Sequence, residues 1–145
     1  MNILISMCLL GCSCRYDGKP GKIPAELEKL RDYHLIPVCP EQMGGLPTPR
    51  LPSERQGERV VMCDGTDVTA QYRRGAEEAL RLAKHFGCDV AVLKAKSPSC
   101  GSGRIYDGNF SRTLVDGWGV TAQLLRKHGI RVYDETRLEQ LLREL

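Results

Sequence analysis

Long apolar runs are missing from this chain. No stretch approaches the ~18 consecutive apolar residues that a membrane-spanning helix needs, so no membrane role is expected. Aromatic residues are scarce, at 6%, which leaves little to stack single-stranded nucleic acid on. A charge excess is lacking too: 21 Lys+Arg stand against 18 Asp+Glu, for a formal +3 spread along the chain. So small an excess argues against nucleic acid as a partner, and no polybasic or acidic block marks a docking tail. Neither a C-x-x-C pair, a Walker loop, a G-x-G-x-x-G after a strand nor a Ser-His-Asp set occurs. Zinc ribbons, thioredoxin-type sites, nucleotide-binding loops and serine hydrolases therefore drop out of the reading.

What is present is the composition of one ordinary globular domain. The 145 residues are 41% hydrophobic and 27% charged, enough to bury a real core without disulfide staples. No internal repeat or linker divides them, so residues 1–145 read as a single domain. Seven cysteines are the outlier. The number is odd and the chain reads as cytoplasmic, where thiols stay reduced, so metal or cluster ligation or thiol chemistry is the better default. Leu9-Leu10-Gly11-Cys12 has the outline of a lipoprotein cleavage box, but no Lys or Arg precedes it and the apolar stretch is too short for a signal peptide.

Residues 2–7 form a short apolar run that suits a buried strand. Pro24 suits the first turn of a helix carrying Leu27, Leu30 and His34, and residues 35–39 return as a second strand ended by Pro40. Residues 44–52 hold three prolines and two glycines, so neither helix nor central strand is expected there. A small hairpin is expected from residues 58–62 and 67–68 around Asp64-Gly65. Thr69 reads as the cap of a helix over 70–86 with Tyr72, Ala76, Ala79, Leu80 and Ala83 inward, stopped by Gly87. Residues 90–93 make a third strand, 94–108 a Gly-rich loop, 120–128 a helix and 130–133 a fourth strand. Thr136 then caps a last helix with Leu138, Leu141, Leu142 and Leu145 inward. Strands alternating with helices predict an α/β fold: one three-layer domain with a mainly parallel sheet of about four strands plus the hairpin.

In such a sheet ligands bind outside the carboxyl ends of the strands. Cys8 and Cys39 end the first two strands and Cys100 lies in the loop after the third, so the fold brings three thiols to one rim. Three thiolates there suit a soft metal or an iron–sulfur cluster. Cys12 and Cys14 lie close by and fit a fourth ligand, a resolving thiol or bystanders; Cys63 and Cys88 read as packing residues. Glu41, beside Cys39, is placed to act as a general acid or base. The Ser97-Pro98-Ser99-Cys100-Gly101 segment can aim hydroxyl and N–H groups at a polar ligand. Arg15 and Arg50 offer cations that either orient a substrate or hold loops. His34 and His85 read as helix-surface residues, and His128 as a complement to a helix dipole.

Four segments, taken in order, resemble one family. Ser6-Met7-Cys8-Leu9-Leu10-Gly11, Cys14-Arg15-Tyr16-Asp17-Gly18, Val38-Cys39-Pro40-Glu41 with Gly44-Gly45-Leu46-Pro47-x-Pro49-Arg50, and Lys96-Ser97-Pro98-Ser99-Cys100-Gly101 are similar to the motifs of the thiouracil desulfidase (TudS) family. The resemblance implies a [4Fe–4S] cluster held by three cysteines, here Cys8, Cys39 and Cys100, with a fourth iron free to bind substrate sulfur. It further implies non-redox desulfuration of a thiolated pyrimidine, as when 2-thiouracil becomes uracil. A glutamate matching Glu41 would relay protons, and Ser99, preferred to Ser97, would position substrate. Cys12 departs from a three-thiol site, and on the fourth iron it would close access. The readings from other classes are a non-catalytic zinc or cluster carrier, which has no use for Glu41, and a redox sensor built on Cys8, Cys12 and Cys14. Oligomeric state is left open, a homo-oligomer included.

Overall fold

The structure, a computed structural model, describes residues 1–145. In chain order its elements are β1 (Asn2–Ser6), β2 (His34–Val38), α1 (Pro40–Met43), β3 (Ser53–Gln56), β4 (Arg59–Met62) and α2 (Thr69–His85). There follow β5 (Val90–Val92), β6 (Ser102–Tyr106), β7 (Leu114–Trp118), α3 (Val120–Lys127), β8 (Arg131–Tyr133) and α4 (Leu138–Glu144).

Four strands form an all-parallel sheet in the order β2-β1-β5-β8. Their apolar runs are continuous because both faces are covered, which is the pattern of a parallel sheet rather than a half-exposed one. Alternate side chains feed opposite layers. Leu4, Ala91 and Val132 pack with α2 and α3 on one face. Ile3, Ile5, Val90, Val92 and Tyr133 pack on the other with Leu27, Leu30, Leu138 and Leu141. This is the expected three-layer α/β domain. No helix is long and apolar enough to cross a membrane.

The structure corrects several local expectations. The helix expected after Pro24 is a 3-10 helix, Ala25–Leu30, and His34 opens β2 instead of lying on it. The expected hairpin is displaced: β4 pairs with Ser53–Gln56 across Gly57, and Asp67 makes only an isolated bridge to Val61. Residues 94–108 are not all loop, because β6 forms there and pairs with β7. Thr69 does not cap α2; its hydroxyl accepts the Val60 N–H at 2.9 Å. The turn is closed by Asp67, whose Oδ1 accepts the Thr69 N–H at 2.9 Å while Oδ2 meets Arg59 at 3.1 Å. In the same way Asp134, not Thr136, supplies the oxygen before the last helix.

Those partners hold the Asp67 carboxyl down at about 2, below its ordinary 3.8, chiefly through Thr69 and then Arg59. A depressed carboxyl adds stability that is present above pH about 4 and lost as pH falls through about 2. Asp67→Ala is therefore expected to lower the melting temperature at pH 7, with the gap to the parent closing between pH 4 and 2. Thermal unfolding followed by circular dichroism across that range checks it, and a gap independent of pH would contradict it.

Helix α1 owes its place to two glycines. A Cβ on Gly75 of α2 would sit 1.9 Å from the Pro40 carbonyl oxygen, and one on Gly44 would sit 1.9 Å from that of Gln71. Alanine at Gly75 would gain about 1 kcal/mol of helix propensity, but a contact that short forces the two helices apart and overrides the gain. Gly75→Ala is expected to lower the melting temperature and to shift Cys39, which stands at the amino end of α1. Thermal unfolding checks it, and a variant as stable as the parent would show that the close approach is not needed.

Candidate active site

The chain passes from β1 to β2 on one side, then crosses back to β5 on the other, so β1 and β5 flank the point where strand order reverses. Ligands in α/β sheets bind at that crevice, outside the carboxyl ends. Cys8 lies in a 3-10 turn, Met7–Leu10, directly after β1. Cys39 follows β2 and begins α1, where its carbonyl accepts the Met43 N–H at 3.0 Å. Cys100 closes the loop after β5. That loop is fastened to α3: the Pro98 and Ser99 carbonyls accept the first helical N–H groups, from Val120 and Thr121, at 2.8 Å each. They satisfy donors that a capping side chain would otherwise take. Only glycine fits at position 119, where a Cβ would meet the Ser99 carbonyl at 2.4 Å.

Cys39 and Cys100 are buried and Cys8 half-buried. Burial pushes the Cys8 thiol up to about 11, with the Glu41 charge adding and Lys94 opposing. Cys39 is raised by burial and then by Glu41. Cys100 is raised well above its ordinary 9.0 by burial, Glu41 and Cys8, against the hydroxyls of Ser6 and Ser99. At neutral pH these thiols hold their protons, and a metal binding among them displaces those protons. No three His, Cys, Asp or Glu side chains gather closely enough to share one ion.

Glu41, in the first turn of α1, has a side chain 15% exposed, and burial raises its carboxyl against the pull of Arg50. Arg50 Nη2 stands 3.6 Å from Glu41 Oε2. Arg50 thus holds loops, the second of the two roles its sequence position allowed, while Arg15 pairs with Asp17 at 3.4 Å. Ser99 is fully buried with its hydroxyl 2.8 Å from that of Thr121. Ser97 is half-buried, and its Oγ accepts the N–H groups of Ser99 and Cys100 at 3.0 Å each, which leaves its own proton free to donate.

Of the two neighbouring thiols, Cys12 is exposed and Cys14 buried. The Cys14 thiol faces Cys39 and is raised to about 12 by burial, Cys39 and Cys8. Cys88 lies in the core as expected, but Cys63 is exposed and packs nothing. His85 ends α2 and His128 caps α3. Sequence reasoning passed over Tyr72, which it placed only on a core face. Tyr72 is buried on α2, yet its phenol senses the charges of Glu41, Arg50 and Cys100. It also missed Lys94, which pairs with Glu135 after β5 and whose charge reaches Cys8. A lone tyrosine on an apolar helix face and a lysine after a strand carry no local signal of either role.

With this geometry in place, the chain can be set beside known proteins. The family profile described as 2-thiouracil desulfurase matches residues 3–137. The chain belongs to the 2-thiouracil desulfurase family. An uncharacterized member-length relative, YbbK of Bacillus subtilis (strain 168), is 41% identical over 150 residues, covering 97% of this chain and 99% of its own. A solved structure described as a [4Fe-4S]-dependent thiouracil desulfidase, TudS, superposes with a TM-score of 0.92 at 50% identity, covering 97% of this chain and 95% of that one. At that identity and coverage, the family's sheet and its strand-end loops are shared along nearly the whole chain.

Proposed function

We propose that this protein is a [4Fe–4S]-dependent desulfidase that converts a thiolated pyrimidine to its oxo form: 2-thiouracil and water give uracil and hydrogen sulfide, with no net redox change. The observation that carries the reading is the convergence of Cys8, Cys39 and Cys100 from three adjacent strand ends beside the half-buried Glu41. The donor set fits the cluster. Three soft thiols, two buried and one half-buried, lie close enough for Cys8 to feel the charge of Cys39 and Cys100 to feel that of Cys8, and such a donor set suits an iron–sulfur cluster. When bound, a cluster held by three thiolates supplies an iron without a protein ligand, a Lewis acid for the thiocarbonyl sulfur.

The rest falls to the chain's own residues. Glu41 takes a proton from the attacking water and returns one to the departing sulfur, and its partial burial strengthens those exchanges. Ser97, with an uncommitted hydroxyl proton, holds the pyrimidine's polar edge, while Ser99 anchors the loop through Thr121. A carrier or thiol switch has no use for a sheltered acid whose charge reaches all three thiols.

Anaerobic reconstitution with iron and sulfide, followed by assay for uracil and sulfide from 2-thiouracil, tests the reading. Bound iron of about four per chain with uracil formation is expected. A chain that binds no iron, or one fully loaded that releases no sulfide, would overturn it.

A further inference from the structure

Arg50 is the most heavily engaged charged group of the site. Its side chain is only 4% exposed. Nη1 donates to the Thr48 hydroxyl at 2.9 Å and the Pro47 carbonyl at 3.2 Å, and Nη2 donates to the Cys14 carbonyl at 3.1 Å. Its backbone N–H donates to the Tyr16 carbonyl at 2.7 Å. The same Cys14 carbonyl also accepts the Cys39 thiol at 3.8 Å. One guanidinium therefore ties the loop after β1 to the segment after α1, at an oxygen shared with a cluster-binding cysteine.

Against those contacts the approach to Glu41 is of a different kind. At 3.6 Å it is an ion pair beyond hydrogen-bond range, and no side-chain donor engages the Glu41 carboxylate. The cation is held by its other acceptors, so its position does not depend on Glu41. The carboxylate feels a fixed charge while it accepts from no other side chain, only from its own backbone N–H.

We propose that Arg50 is a positioning residue: anchored by neutral oxygens, it aims the Glu41 carboxylate at the reacting group without consuming its acceptors. The inference rests on the desulfidase reading for its consequence in turnover. A lysine cannot replace it, because an ammonium lacks the planar fork that spans Cys14, Pro47 and Thr48 together.

The test uses Arg50→Gln, Arg50→Lys, Glu41→Gln and the Arg50→Gln/Glu41→Gln double variant, each reconstituted and matched for iron. For Arg50→Gln, kcat on 2-thiouracil is expected to fall about a hundredfold, the cost of a misaimed group, with KM within about twofold. The double variant should be no slower than Glu41→Gln alone, and Arg50→Lys should recover little. Multiplying losses in the double variant, or parental kcat in Arg50→Gln, would overturn the proposal.

A second readout needs neither cluster nor turnover. In the apo proteins, Arg50→Gln should lower the melting temperature more in the parent than in the Glu41→Gln background, since only the former leaves Glu41 without its counter-charge. Equal losses would show that the two side chains are uncoupled and would overturn the proposal on their own. Parental turnover in Glu41→Gln would instead overturn the proton role of Glu41, whatever Arg50 does.

Discussion

Cys8→Ala, Cys39→Ala and Cys100→Ala, made singly, are each expected to fold yet lose most of their iron, whereas Cys12→Ala and Cys63→Ala should load like the parent. Each of the first three removes one donor of a three-thiol set, and no nearby side chain of the same softness stands where the lost sulfur was. Cys14 lies closest, but its thiol is turned to Cys39 and its carbonyl is already engaged by Arg50. Folding should survive because the large apolar clusters are built mainly from aliphatic residues, and losing one sulfur costs little beside them. Cys12 and Cys63 are exposed and lie outside the apolar clusters. Iron and sulfide content after anaerobic reconstitution, with circular dichroism to confirm the fold, decides the matter. Full loading in all three site variants would remove the assignment, and loss of loading in Cys12→Ala would restore that thiol as a ligand.

Glu41→Gln is the second large effect. Glutamine keeps the shape of the side chain but cannot exchange the proton, and proton transfer by a positioned group contributes about 10²–10⁴ in rate. Turnover of 2-thiouracil is expected to fall within that range while iron content and the visible absorbance of the loaded protein stay unchanged. Folding should be little affected, because Arg50 retains its bonds to Cys14, Pro47 and Thr48 when the carboxylate is gone. An active, fully loaded Glu41→Gln variant would leave the acid without a role and return the cluster-carrier reading. Loss of iron together with activity would instead make Glu41 part of the binding set.

How far the site could be read without the fold varies residue by residue. The placement of Cys8, Cys39 and Cys100 at one rim was legible because the first two follow apolar runs at strand ends and the third lies in the loop after another such strand, and the rule that ligands gather at the carboxyl edge needs no coordinates. Strands β1 and β5 were legible for the same reason: burial on both faces makes an unbroken apolar stretch. Strand β3 was not, since Ser53-Glu54-Arg55-Gln56 is polar throughout. Its Glu54 is buried only because Gly108 and Phe110, far along the chain, donate N–H groups to it at 2.9 and 3.2 Å. Strand β6 was hidden within a Gly-rich segment whose pairing with β7 is set by Ser102 lying opposite Trp118.

The amino-acid sequence by itself determined the parallel sheet, the cysteines at its strand ends and the acid beside one of them. Periodicity, burial of apolar runs and short motifs are local properties, readable over a few residues. Only the tertiary structure decided that Cys14 rather than Cys12 turns inward and that Arg50 stands over Glu41 as an anchored charge. It also brought the buried Tyr72 within electrostatic reach of both Glu41 and Arg50. Cys14 meets Cys39 across 25 residues and Arg50 across 36. Contacts at such separations are chosen by how the layers pack and leave no trace in the spacing of the residues that make them.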